Sequence, residues 1–149
     1  MIARTRPFEI LYIEDNPADC QLLEYLFSNC GVPCHIVSLR DGKSAMDLLQ
    51  REGEPAYRPD LVLLDLNLPR IPGKELLQFL KSNRKLDIIP VIVLSTSSNE
   101  ADKLGCYELG ANAFITKPLE LSEFDRVVKS IELFWLQTCE LPFRGRMDA

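Results

Sequence analysis

The sequence predicts an α/β domain in which five parallel strands alternate with five helices, and three observations carry that expectation. The first is the alternation itself: short apolar runs of strand length take turns with longer stretches of helical period. The second is the character of those runs. "ILYI", "LVLL" and "VIVL" are apolar at every position, which marks strands covered by helices on both faces of a parallel sheet. The third is size: 149 residues without internal repeats or a long linker fit one domain with a good core.

The elements follow in order. "FEILYIED" (8–15) reads as a strand ending in acids, and "NPADCQLLEYLFSNCG" (16–31) as a helix capped by Asn16, with Pro17 in its first turn and Gly31 stopping it. Leu22, Leu23, Leu26 and Phe27 keep the helical period. "CHIVSL" (34–39) is the second strand and "DGKSAMDLLQREG" (41–53) the second helix, ending at Gly53. "DLVLLD" (60–65) and "GKELLQFLKSNRK" (73–85) form the third pair; "IIPVIVLS" (88–95) and "NEADKLGCYELG" (99–110) form the fourth. "AFIT" (113–116) is the last strand. A final helix over 119–136 should turn Leu121, Phe124, Val127, Val128, Ile131 and Phe134 inward. The natural arrangement is a doubly wound, flavodoxin-like (βα)5 sheet with strand order 2-1-3-4-5.

Composition narrows the function. Hydrophobic residues make up 46% and charged residues 26%, as in ordinary soluble domains. The net charge of −5 argues against a nucleic-acid or anionic-membrane surface as the main function. The longest apolar runs are too short to span a bilayer, and "MIARTRPFEILYIED" meets acids too early for a signal peptide, so a cytoplasmic protein is expected. Five cysteines (Cys20, Cys30, Cys34, Cys106, Cys139), odd in number and without a CxxC, read as reduced thiols. Cys30, Cys34 and His35 form the one Cys/His cluster, but a structural zinc would need a fourth ligand.

The stretch "LVLLDLNLPRIPG" (61–73) places a carboxylate, Asp65, at the end of the most apolar strand. In an open parallel sheet, ligands bind beyond the carboxyl ends of the strands near the topological switch point. Strand one ends in Glu14 and Asp15, strand three in Asp65, and these strands are neighbours in the expected order. Any one of these acids could simply cap a strand and face solvent. Three together repel, and a hard divalent cation with oxygen ligands, Mg²⁺ or Mn²⁺, relieves that repulsion. Ser95 ends strand four and Lys117 follows strand five in "AFITKPL". Singly they read as a turn residue and a surface lysine. At one rim they supply a hydroxyl and a positive charge to a phosphoryl group on Asp65, whose transfer depends on positioning and charge stabilisation.

Taken together, "IEDN", "LLDLNLPRIPG", "VIVLSTS" and "ITKP" resemble the receiver domain of two-component response regulators over residues 7–137. The intervals fit as well: 30 residues from Asp65 to Ser95 and 22 from Ser95 to Lys117. The resemblance implies Asp65 as phosphoacceptor, served by the phosphohistidine of a sensor histidine kinase. It implies Glu14, Asp15, Asp65 and the Asn67 backbone carbonyl as the metal site, with Ser95 and Lys117 on the phosphoryl oxygens. Ser95 and Phe114 would form the switch, in which inward movement of the hydroxyl is coupled to the aromatic rotamer. Asn67 and Ser97 would modulate the phosphoryl lifetime.

Several positions depart from the family's commoner residues. The acidic pair is Glu-Asp rather than Asp-Asp, and Ser95 replaces the commoner Thr, with Thr96 a one-residue alternative. Phe114 has the bulk of the switch aromatic without a phenol. Residues 138–149 read as a tail without an output domain, so a contact with another protein is the expected output. The ending "ELFWL…LP" and the "NPAD" stretch resemble the small response regulators that partner cyanobacterial phytochrome-type kinases. That resemblance implies a homodimer through the helix 4–strand 5–helix 5 face, with Phe134 and Trp135 as anchors. Two other readings compete with this one. A pseudo-receiver acting independently of phosphorylation would lack the acceptor, the acidic pair or the lysine, and all are present. A dehalogenase-type phosphatase expects an Asp where Asn67 stands.

Overall fold

The computed structural model describes residues 6–53, 56–118 and 120–142. Five strands, β1 (Phe8–Ile13), β2 (Cys34–Leu39), β3 (Leu61–Leu64), β4 (Val91–Ser95) and β5 (Ala113–Thr116), form one parallel sheet in the order β2-β1-β3-β4-β5. The helices between and after them are α1 (Pro17–Ser28), α2 (Gly42–Gln50), α3 (Gly73–Ser82), α4 (Glu100–Glu108) and α5 (Leu121–Ile131). The fold and strand order are those expected from the sequence.

Strand periodicity divides the core in two. Leu11, Ile13, Val62, Leu64, Val91 and Val93 face α2, α3 and α4, where they meet Leu49, Leu76, Leu77, Leu80 and Cys106. The alternate residues Ile10, Tyr12, Leu61, Leu63, Ile92 and Leu94 face α1 and α5, against Leu23, Phe27, Phe124, Val128 and Ile131. Residues 10–13, 61–64 and 91–94 of the central strands are therefore buried and apolar throughout. Each such fully buried side chain stabilises the fold by about 1.5–3 kcal/mol relative to exposure. Among the described residues, no helix is long and apolar enough to cross a membrane.

Local chemistry sets the element ends. Asn16 caps α1 by accepting from the amides of Ala18 (2.9 Å) and Asp19 (3.2 Å), and Pro17 opens the helix. Asp41 caps α2 through the Ser44 amide at 2.7 Å. Most elements are shorter than the expected ranges, and at three of them the local reason is plain. Helix α2 stops at Gln50 because Arg51 turns extended (φ −58°, ψ 133°) before the left-handed Gly53. Helix α3 stops at Ser82 because the Asn83 side chain takes the Lys85 amide at 2.9 Å, an Asx turn that competes with the helix. Strand β4 begins only at Val91, after Pro90, whose nitrogen has no hydrogen for the ladder.

The last helix brings a larger correction. After Ile131 the backbone widens into a π-helical segment, Glu132–Thr138, in which the Cys139 amide reaches the Phe134 carbonyl five residues back at 2.8 Å. A widened turn changes which residues face the sheet. Leu136, five residues after Ile131, is buried, while Phe134, expected inward, is 52% exposed. Leu121 is also exposed rather than inward, because it begins the helix at the rim of the sheet. Residue 119, the expected start of this helix, and residues 143–149 of the tail lie outside the described residues.

Candidate functional site

The carboxyl ends of β1 and β3 bring the three predicted acids together. Glu14 and Asp15 follow Ile13 directly, and Asp65 follows Leu64; the Asp65 amide donates to the Ile13 carbonyl at 3.0 Å, locking the two strand ends side by side. One carboxylate oxygen from each of Glu14, Asp15 and Asp65 lies within 4.8 Å of the others. Glu14 is 1% exposed and Asp65 4% exposed, whereas Asp15 faces solvent. Two buried acids and one open acid form a cup of oxygen donors accessible from one side. This donor set suits a hard divalent cation that keeps several waters.

Asp65 is held rigidly. One of its carboxylate oxygens accepts from the Leu66 amide at 2.9 Å. The loop beyond it folds back so that the Gly73 amide, at the head of α3, donates to the Leu66 carbonyl at 2.9 Å. A β-carbon on Gly73 would stand 2.3 Å from the Asp65 carbonyl oxygen and 2.6 Å from the Leu66 α-carbon, so only glycine permits this approach. Within the loop, Arg70 has a left-handed backbone (φ 72°), a conformation that costs a non-glycine residue about 1–2 kcal/mol. Asn67 is exposed in the same loop, two residues beyond Asp65.

Lys117, just beyond β5, is 8% exposed. Its ammonium is hydrogen-bonded to Glu14 and, at 3.0 Å, to Asp19 in the first turn of α1. Burial alone would lower the lysine pKa, but its bonds to Glu14 and Asp19 carry it above the usual value. Burial pushes the Glu14 carboxyl up to about 7; the Lys117 bond opposes that rise and the nearby Asp65 charge adds to it. Ser95 is fully buried at the end of β4 and accepts from the Ser97 amide at 3.2 Å, whereas Thr96 is exposed, so Ser95 is the hydroxyl held inside the fold at that strand end. Phe114 is half-buried against the same helix-covered face as Val93, its register partner. Ser97 is engaged elsewhere: its hydroxyl donates to Asp102 at 2.8 Å, and Asp102 also holds Lys74 at 2.9 Å.

Two contributors escaped the sequence reading. The Tyr12 hydroxyl, buried beneath the site, donates to Glu14 at 3.1 Å, and burial first and then Glu14 drive its own pKa up. Its signal was strand parity, since Tyr12 and Glu14 are two residues apart and face the same way. Asp19 binds Lys117 from the helix that the "NPAD" stretch begins.

The raised Glu14 pKa has a pH consequence. Between its ordinary value of 4.5 and about 7, the folded metal-free protein holds a proton that the unfolded chain has released. This term stabilises the fold at the acid end of that window and is lost as pH rises through it. A cation held by Glu14 would have to displace the same proton, so its affinity is expected to fall about tenfold per pH unit below that value. Calorimetric titration of Mg²⁺ across the pH range, with proton release followed in two buffers, checks this.

Five parallel strands in the order 2-1-3-4-5, with acids, a hydroxyl and a lysine at their carboxyl ends, define a doubly wound, flavodoxin-like α/β domain. Residues 10–129 match the response regulator receiver domain, and the chain belongs to that family. It is 44% identical over 138 residues to the response regulator Rcp1 of Synechocystis sp., covering 91% of this chain and 94% of that protein. The crystal structure of the phosphorylated cyanobacterial phytochrome response regulator RcpA superposes with a TM-score of 0.87 at 48% identity, covering 93% of this chain and all of that one. The Mn²⁺-bound form of Rcp1 gives 0.86 at 43% identity, over 92% of this chain and 100% of the other.

Proposed function

We propose that this chain accepts a phosphoryl group on Asp65 from the phosphohistidine of a sensor histidine kinase of the phytochrome type. The observation that carries the proposal is the convergence of Glu14, Asp15 and Asp65 oxygens within 4.8 Å, beside a buried lysine and a buried serine. An Asp65 carboxylate oxygen attacks phosphorus, the phosphorus–nitrogen bond breaks, and the kinase histidine leaves as an imidazole that takes up a proton. Glu14, Asp15, Asp65 and the Asn67 carbonyl are the residues that would hold Mg²⁺ or Mn²⁺. A bound cation offsets the charge that three acids and the incoming phosphoryl oxygens would otherwise concentrate at one rim. Lys117 is then free to exchange Glu14 for a phosphoryl oxygen, and Ser95 donates its hydroxyl to another. Support for the phytochrome-type partner comes from the RcpA and Rcp1 relatives and from the "NPAD" and "ELFWL" stretches.

Ser95 movement toward the phosphoryl group would be felt at Phe114, which packs on the same face of the sheet, and from there at the surface of α4, β5 and α5. Leu104, Tyr107, Leu121, Leu133 and Phe134 are large exposed hydrophobic residues on α4, α5 and the π-helical segment, and the Phe134 ring meets Trp135 edge-on at 5.2 Å. We place the homodimer contact there. Phe134→Ala is expected to shift the protein toward monomer in sedimentation equilibrium with its far-UV circular dichroism unchanged, and to remove the concentration dependence of its melting temperature.

The test of the proposal is transfer of labelled phosphate from an autophosphorylated phytochrome-type kinase. Label should move to the wild-type chain in the presence of Mg²⁺ and not to Asp65→Asn. Transfer to Asp65→Asn, or none to either from any such kinase, would refute it.

A further inference from the structure

Two half-buried cysteines face each other at the turn between α1 and β2. The sulfurs of Cys30 and Cys34 are 3.3 Å apart, and both thiols donate to the Val32 carbonyl, at 3.0 and 3.4 Å. The turn "CGVPC" therefore holds two thiols in van der Waals contact on one acceptor, with Pro33 limiting its freedom. Cys30, itself only half-buried, also lines a groove of about 370 Å³ between α1 and α5, together with Tyr25, Asn29, Lys129 and Glu132. The other three thiols lack this arrangement: Cys20 and Cys106 are buried, and Cys139 donates to the Trp135 carbonyl at 3.2 Å.

We propose that Cys30 and Cys34 form a reversible dithiol site, oxidised to an intramolecular disulfide by a low-molecular-weight disulfide such as oxidised glutathione. The Cys30 thiolate attacks one sulfur of the small disulfide, forming a mixed disulfide and releasing one small thiol, which takes the proton Cys30 gave up. The Cys34 thiolate then attacks the Cys30 sulfur and expels the second small thiol, protonated by the proton from Cys34. Two protein thiols are oxidised, and one small disulfide is reduced to two thiols. The closed loop is short, so the bond restrains the unfolded chain little and stays open to reduction. The bridge spans Gly31, whose amide donates to Glu132 at 2.7 Å, and so lies next to the tie between this turn and the π-helical segment.

The test equilibrates the full chain in glutathione buffers of graded ratio, traps free thiols with iodoacetamide and reads intact mass without reductant. The wild-type chain should lose two alkylatable thiols together and regain them with dithiothreitol. Cys34→Ser should stop at a single glutathione adduct, and a chain with Cys20, Cys106 and Cys139 replaced should still lose both thiols. Circular dichroism on each variant checks its fold. An unchanged number of alkylated thiols at every ratio, persistence of the paired loss in Cys34→Ser, or a bridge found only between two chains would overturn the proposal.

Discussion

Replacing Lys117 with alanine is expected to slow phosphorylation of Asp65 about 100- to 1,000-fold, while tightening the hold on a divalent cation. The two effects have opposite signs because the proposed function gives the lysine two partners in succession. In the metal-free protein its ammonium occupies Glu14 and Asp19, so it competes with a cation for the Glu14 charge. Its removal leaves Glu14 without that partner, and the site gains affinity for Mg²⁺. The same removal takes away the one buried positive charge among the described residues of the rim, and transferred phosphoryl oxygens lose their counter-charge. Breaking so buried a pair also costs stability, roughly 3 kcal/mol. That cost should be smaller below pH of about 7, where Glu14 can take a proton instead of standing as an unpaired carboxylate. Phosphorylation rates with acetyl phosphate, Mg²⁺ titration and urea denaturation at two pH values separate these effects.

Gly73→Ala is the second large effect expected. By helix propensity alone, alanine would stabilise the head of α3 by about 1 kcal/mol. Contact predicts the reverse, because the new methyl would press on the Asp65 carbonyl oxygen at 2.3 Å and on the Leu66 α-carbon at 2.6 Å. The strand end must shift, and overpacking of this kind costs about 1–3 kcal/mol. A displacement of about 1 Å at the nucleophile is worth about 100-fold in rate. Urea denaturation should show the loss of stability, and the phosphorylation rate should fall with it. A stabilised, fully active Gly73→Ala would mean that the loop after Asp65 does not hold the carboxylate in place.

The central strands were legible because each is covered on both faces, so every position must be apolar, whereas a strand with one wet face would alternate. The acids, Ser95 and Lys117 were legible because they interrupt those runs at their carboxyl ends. The end of α5 was not, since periodicity reading assumes 3.6 residues per turn and the chain widens after Ile131, exchanging Phe134 for Leu136 on the inner face. Nor was the lysine's resting partner. Sequence places Lys117 at the rim but cannot distinguish Asp65 from Glu14 and Asp19 as the acids it meets, because that depends on where the first turn of α1 lies over β1. Tyr12 was hidden for a related reason: in an apolar run a tyrosine reads as core, and only the structure brings its hydroxyl to Glu14.

Intact-mass analysis after incubation with acetyl phosphate tests the proposed metal-dependent phosphorylation of Asp65. With Mg²⁺ and rapid acid quenching, the wild-type chain should gain one phosphoryl group, absent when Mg²⁺ is chelated beforehand and absent from Asp65→Asn. An adduct that persists in Asp65→Asn, or no adduct in the wild-type chain with Mg²⁺ bound, would rule out Asp65 as the metal-dependent acceptor.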